Sequence, residues 1–304
     1  KFVLKFMRRD SLHAPTFAVE QMGIKDIDGY GHIWYGNYLK FFERALQAFL
    51  GGGKVCQVEH LKYRRSIPWG ASDSRIESFL VERPSTGQAR VFQRWCVGSD
   101  EDSTSAVCLT LITLQPGVGE TVAVAEPGAR LPRRGPKLAM SVKNLQTGAV
   151  KPSATATPPI GQFFVRRQVF ADMVCTFSQC LQLVDVMDLF EQSRTETVGG
   201  QPGLKAFLDK GLALVVGQID DLSLAEDARV APGDELACEV TLIREHAGRR
   251  CFDFQQRLLS SDGREVARVR VLMCCTNPSQ GELAVVPDDN WGEWMARMAA
   301  SCGG

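Results

Sequence analysis

The sequence carries no net charge: 35 basic side chains balance 35 acidic ones over 304 residues. A protein that grips nucleic acid or an anionic membrane surface needs a basic face, so the balance argues against both. Long apolar runs are missing too. Stretches such as Cys108–Leu114 and Leu212–Val216 are strand-sized, short of the roughly 20 residues a membrane helix needs, and no membrane span is expected. None of the 10 cysteines forms a C-x-x-C pair, and the adjacent Cys274 and Cys275 suit neither a metal knuckle nor an easy disulfide. Cys96, Cys108 and Cys238 stand among apolar neighbours, where a free thiol behaves as a small buried hydrophobe. No secretory signal opens the chain, so a reducing intracellular compartment, cytoplasmic or organellar, is expected. The chain opens on Lys1 and closes on Gly303–Gly304; a processed protein or a segment of something longer is expected, with targeting information outside it.

What is present is enough apolar residue, 44%, for ordinary globular cores. The length amounts to about two domains at roughly 150 residues each. Seven of the 14 prolines fall between Pro116 and Pro159, in a Gly-, Ser- and Ala-rich stretch without apolar periodicity that reads as a linker.

The flanking halves share a layout. In the first, an extended start (Phe17–Ile24) leads to a helix with Tyr38, Phe41, Phe42, Ala45, Leu46 and Phe49 at helical spacing, stopped by Gly51–Gly53. Strand-like runs follow at Val55–Ile67, Ser74–Arg83, Ala89–Val97 and Ser105–Leu114. In the second, Phe163–Phe170 is extended and a helix carries Leu183, Val186, Met187 and Phe190, stopping near Gly199–Gly200. A short helix is expected over Leu204–Leu212, then strands at Ala213–Leu222, Glu235–Glu245, Arg250–Ser260 and Glu265–Cys274. Phe42-Glu43 is echoed by Phe190-Glu191, and Phe92-Gln93 by Phe254-Gln255. Pro68-Trp69-Gly70 has a counterpart in Pro232-Gly233-Asp234. A repeated β-helix-β-β-β-β unit is an internal duplication, and a long apolar helix wrapped by an antiparallel sheet is how such a unit buries its face. The closing stretch around Trp291 and Trp294 reads as a short amphipathic helix packing back on the body.

The chemistry lies directly before the first helix, in Asp26-Ile27-Asp28-Gly29-Tyr30-Gly31-His32-Ile33-Trp34-Tyr35-Gly36-Asn37-Tyr38. A helix N-terminus offers N–H groups and a positive dipole end that can polarise a carbonyl. A carboxylate just upstream can then act as nucleophile or as the base that activates water. The stretch resembles the hotdog-fold acyl-thioester hydrolases of the 4-hydroxybenzoyl-CoA thioesterase type. Their pattern, D-x-D-x-x-G-x-x-[WY]-[YF]-x-N-Y before an amphipathic helix, is matched position for position, and Phe41-Phe42-Glu43-Arg44-Ala45 continues the likeness. The resemblance covers Thr16 to about Gln115 well, and about Phe163 to Asn277 by layout.

That resemblance implies an α+β chain of two tandem hotdog domains forming an intrachain pseudo-dimer. The expected boundaries are 16–115 and 161–280, with a linker at 116–160 and a tail at 281–304. It implies Asp28 as nucleophile or base and the Tyr35 amide as oxyanion donor. Asp26 would hold the turn, Trp34 and Tyr35 would wall the acyl group, and Asn37 looks like the helix N-cap. Gly31, His32, Trp34, Asn37 and Tyr38 form the expected substrate-binding set. Glu43 is the alternative carboxylate, because some hotdog esterases place theirs on the helix. The blander reading of the same residues is capping and turn chemistry.

Rival motifs fail on spacing. An EF-hand loop from Asp26 would put Tyr30 at its fifth position and Asn37 at its twelfth, where a side-chain ligand and a bidentate Glu are needed. A D-x-D-G phosphatase start needs a hydrophobic strand before it, and Glu20–Lys25 is polar. A hotdog hydratase would pair an Asp with a His five residues on, after an Asn-Pro; Asp26 and Asp28 stand six and four residues before His32, and no Asn-Pro lies in this stretch. The second half lacks the motif: aligning Glu191 on Glu43 sets Thr176 opposite Asp28, Gln179 opposite Gly31 and Asp185 opposite Asn37.

No metal or redox cofactor is implied. The expected partner is an acyl-CoA or an acyl-carrier protein, with no nucleic acid. Arg64, Arg65, Arg133, Arg134, Arg249 and Arg250 are candidates for phosphate or carrier contacts. The chain is expected either as a homodimer of double-hotdog chains or as part of a multienzyme. Two other readings stand beside the hydrolase: a non-catalytic acyl-binding or scaffold subunit, and a carrier-linked domain of a fatty-acid or polyketide synthase.

Overall fold

A computed structural model describes residues 16–19, 35–51, 54–65, 67, 71, 73–98, 104–114, 159–174, 181–225, 229–246 and 248–300. The chain divides into two compact units, Lys1–Ala156 and Thr157–Gly304.

The first unit comprises β1 (Thr16–Ala18), α1 (Tyr35–Leu50), β2 (Lys54–Tyr63), β3 (Ser74–Glu82), β4 (Gln88–Val97) and β5 (Thr104–Thr113). Its strands are antiparallel in the order β1-β3-β4-β5-β2. The apolar stripe of α1 dictates which face meets the sheet: Tyr38, Phe41, Phe42, Ala45, Leu46 and Leu50 are all buried. Phe49, expected on that stripe, is half-buried. Gly51 ends the helix in the left-handed region at φ 80, its amide donating to the Gln47 carbonyl. Trp95 is the centre of this core, with its ring 5.0–6.0 Å from those of Tyr38, Phe41 and Phe42. Its indole donates to Ser74 Oγ. The other face of the sheet carries a second buried cluster of Val81, Phe92, Val107 and Leu109 with Phe79 against it. Burial on both faces explains why β5 reads as a nearly continuous apolar run.

The second unit repeats the topology. β6 (Gly161–Gln168) leads through a short 3-10 turn (Ala171–Met173) to α2 (Leu183–Thr197) and α3 (Gly200–Leu208). Then come β7 (Ala213–Leu224), β8 (Glu235–His246), β9 (Cys251–Leu259), β10 (Glu265–Asn277), β11 (Glu282–Leu283) and α4 (Asp288–Ala300). The order is β6-β8-β9-β10-β7, antiparallel throughout, with β11 added to β10. This is the first unit's order with each strand replaced by its counterpart.

Two corrections to the sequence reading arise here. α3 occupies Gly200–Leu208 rather than 204–212. Pro202 suits a first helical turn, and the turn starts against the end of α2. There Gly203 comes so close that a Cβ on it would lie 1.8 Å from the Val198 carbonyl oxygen. The counterpart of Gln93 is Gln256, not Gln255. Gln93 Nε2 donates to the Phe42 carbonyl at 3.0 Å, and Gln256 Nε2 donates to the Phe190 carbonyl at 2.7 Å. Phe42 and Phe190 therefore correspond as expected, whereas the strand doublets are offset by one residue.

The closing helix α4 is part of the second core. Trp294 is buried, stacks on Phe254 and donates its indole N–H to Thr197 Oγ1 at 3.0 Å. Trp291 stacks on Phe252. No helix among the described residues is long and apolar enough to cross a membrane.

Candidate functional site at the N-terminus of α1

Tyr35 is the first described residue of α1, and amides in the first turn of a helix take their acceptors from outside it. Two strands and their loops hold this end. The Tyr63 hydroxyl, at the end of β2, donates to the Tyr35 carbonyl at 2.9 Å. The Tyr63 ring meets Tyr35 and Tyr38 edge-on, with centroids 6.0 Å and 5.1 Å apart. The Tyr38 hydroxyl accepts the Ile67 amide at 3.1 Å, and its ring leans on Trp95. The helix start is thus pinned from β2, from the loop after it and from β4.

Of the residues that the sequence singles out, Asp26, Asp28, Gly31, His32 and Trp34 lie outside the described residues, as do Arg133 and Arg134. Tyr35 is half-buried, and Asn37 and Tyr38 are buried in the first turn and a half of α1. Asn37 is not the N-cap. Tyr35 and Gly36 before it are already helical, because the aromatic packing of Tyr35 and Tyr38 extends the helix past the point where a local capping preference would start it. Arg64 and Arg65 follow β2 with exposed side chains, and both backbone amides donate to the Ser105 carbonyl. Arg249 is committed elsewhere, pairing with Asp288 at 2.7 Å and lying over Trp291.

Glu43 lies two turns along α1 on the ridge that contains Tyr35 and Leu39, since residues four apart stack on one helix face. It is half-buried, and that burial pushes its carboxyl above the ordinary carboxylate range.

Sequence reasoning did not assign the buried glutamines a role. Gln93 also donates to Ser78 Oγ, while its Oε1 is buried and has no hydrogen-bond partner among the described residues. In the second unit Arg194 Nη1 donates to Gln256 Oε1 at 2.5 Å. The helix position that supplies this guanidinium, four residues after Phe190, is Leu46 in α1. The signal was a polar residue inside an otherwise apolar strand core.

The matching end of α2 carries Asp185, opposite Asn37 in the alignment. Its carboxyl is pushed up to about 6, by burial and then by Asp172. Asp188 is likewise raised to about 6, by burial and then by Glu191 and Asp185. No group of three or more His, Cys, Asp or Glu among the described residues is arranged to hold a metal.

No protein-family model and no curated protein matches the sequence. Among solved structures, the chain is similar to a putative oleoyl thioesterase from Lactobacillus plantarum, at 12% identity and a TM-score of 0.53, over 87% of this chain and 96% of that one. It is also similar to the tesB protein of Mycobacterium avium subspecies paratuberculosis, at 12% identity and a TM-score of 0.48, over 88% and 95%. A 1,4-dihydroxy-2-naphthoyl-CoA thioesterase from Synechocystis matches 45% of this chain and 96% of its own, at 16% identity and a TM-score of 0.38. The first likeness, with the strand order repeated in both units, shows the fold of the chain: two hotdog domains in tandem.

Proposed function

We propose that this protein hydrolyses an acyl thioester, carried by coenzyme A or by a carrier protein, to the free acid and the thiol. The observation that carries the reading is that Tyr35 is helical and held in place by the hydroxyl and ring of Tyr63. The resemblance calls for a helix-terminal amide to receive the thioester oxygen at Tyr35. Polarisation there makes the carbonyl carbon electrophilic. Asp28 either takes a proton from the attacking water or attacks directly to form an anhydride that water then cleaves to the free acid; in both routes the carbon–sulfur bond breaks, and the thiolate leaves with a proton. Gly31, His32 and Trp34 line the acyl and thioester portion in this reading, while Asn37 and Tyr38 shape the helix end beneath it. The thioesterases among the solved structures support the reaction class. The domain limits 16–115 and 161–280 belong to the same reading.

Glu43 supplies a second reading of the carboxylate, favoured by its half-buried position on the Tyr35 ridge and its raised carboxyl. The test is hydrolysis of a panel of acyl-CoAs and acyl-carrier proteins by wild type, Asp28→Asn and Glu43→Gln. A drop of about 100-fold or more in kcat for Asp28→Asn, with folding retained, is expected. Collapse in Glu43→Gln alone transfers the role to Glu43. No turnover of any substrate by the wild type leaves the non-catalytic acyl-binding subunit as the better account.

A further inference from the structure

Among the described cysteines most sulfurs rest on hydroxyls or apolar groups: Cys56 on Thr113, Cys96 on Thr104 and Cys108 on Thr110. Cys251 and Cys274 differ. They stand directly opposite each other on the neighbouring strands β9 and β10, with their sulfurs 3.3 Å apart. The Cys275 amide bonds the Arg250 carbonyl, so the next pair along, Cys251 and Cys274, is a non-hydrogen-bonded pair. Such pairs bring the Cα atoms to about 4.5 Å, at the short end of the range a disulfide spans. Both side chains are half-buried, so a small oxidant reaches them. A Cβ on Gly217 of β7 would lie 3.4 Å from the Cys274 sulfur, and its absence leaves that sulfur room to turn. Cys275 points to the opposite face of the strand and is buried, so it does not compete.

We propose that Cys251 and Cys274 form a cross-strand dithiol that a peroxide converts reversibly to a disulfide. One thiolate of the pair attacks one peroxide oxygen and the O–O bond breaks. Water or an alcohol leaves, and that cysteine becomes a sulfenic acid. The sulfur of the other cysteine then attacks the sulfenic sulfur, and its proton leaves with the hydroxyl as water. Two thiols are oxidised and one peroxide is reduced. A half-buried cross-link stays open to attack by a thiol, which places it with the reducible cross-links rather than the permanent ones. The proposal is independent of thioester hydrolysis.

The experiment treats the whole reduced chain with hydrogen peroxide, blocks the remaining thiols and maps the peptides without reductant. The expected map joins the Cys251 and Cys274 peptides with loss of two hydrogens, and dithiothreitol separates them. The thermal midpoint of the oxidised chain is expected to rise by a few degrees over the reduced one. Cys251→Ser, or Cys274→Ala where the first variant does not fold, abolishes both effects. Both thiols still free after treatment, over-oxidation of either to a sulfinic acid, or linkage of either to a different cysteine overturns the proposal, and the wild-type map alone decides this.

Discussion

Replacing Tyr63 by Phe removes one hydroxyl and leaves the ring. The T-shaped contacts with Tyr35 and Tyr38 persist; what is lost is the 2.9 Å bond from the hydroxyl to the Tyr35 carbonyl. That carbonyl lies in the first turn of α1 and keeps its intrahelical amide donor, so no buried acceptor is stripped bare. The stability cost is then the net value of a single part-buried hydrogen bond, about 1 kcal/mol. Urea unfolding of the variant should show that loss with an unchanged slope. If the Tyr35 amide receives the thioester oxygen, the same hydroxyl orients the oxyanion donor. Up to about 1 kcal/mol of it then appears in the barrier, as a fall of about 5-fold in kcat with KM little changed. A Tyr63→Leu variant, which also removes the ring, should cost about 3 kcal/mol or more. Wild-type stability in Tyr63→Phe would refute the pinning of the helix start. A loss of stability with kcat untouched would refute the placing of the oxyanion donor at Tyr35.

Trp294→Ala should destabilise the second unit by about 3–5 kcal/mol and Trp294→Phe by about 1 kcal/mol, the value of the bond to Thr197; denaturant unfolding of each checks whether α4 is part of that core. Asp185 and Asp188 hold their protons up to about pH 6, against an ordinary 3.8, so the native state binds protons that the unfolded chain has released. Stability from this source is fully present below about pH 4 and lost as pH rises through about 6, by about 1 kcal/mol apiece after allowing for solvent screening of these half-exposed groups. Asp185→Asn should therefore be more stable than wild type at neutral pH, with the gain gone near pH 4; a constant difference across that range, followed by thermal melting, would count against the buried-carboxyl account. Gly203→Ala drives a Cβ into the Val198 carbonyl and should cost about 1–3 kcal/mol, read by the same unfolding measurement.

The elements of both units were legible in the sequence wherever one local period carried them. Tyr38, Phe41, Phe42, Ala45 and Leu46 recur at helical spacing and all are buried on α1, and the apolar runs of β4, β5, β8, β9 and β10 lie within a few residues of their observed limits. A helix wrapped by an antiparallel sheet followed, because a stripe and a sheet face of that size have few ways to cover each other; that this is a hotdog came from the likeness of the Asp26–Tyr38 stretch. What needed the tertiary structure is every feature set by register between distant segments. The Gln93–Phe42 and Gln256–Phe190 bonds join residues 51 and 66 positions apart, and no local pattern separates Gln256 from Gln255. Asn37 lies inside α1 because Tyr63 and Trp95 hold the aromatic residues around it, contacts a capping propensity does not contain. Cys274 looked unsuited to a partner in the company of Cys275, yet the β9–β10 register places Cys251 across from it. Periodicity is a property of neighbouring residues and survives in the bare sequence. Register is a choice among long-range pairings, settled only when the whole sheet closes on its helix.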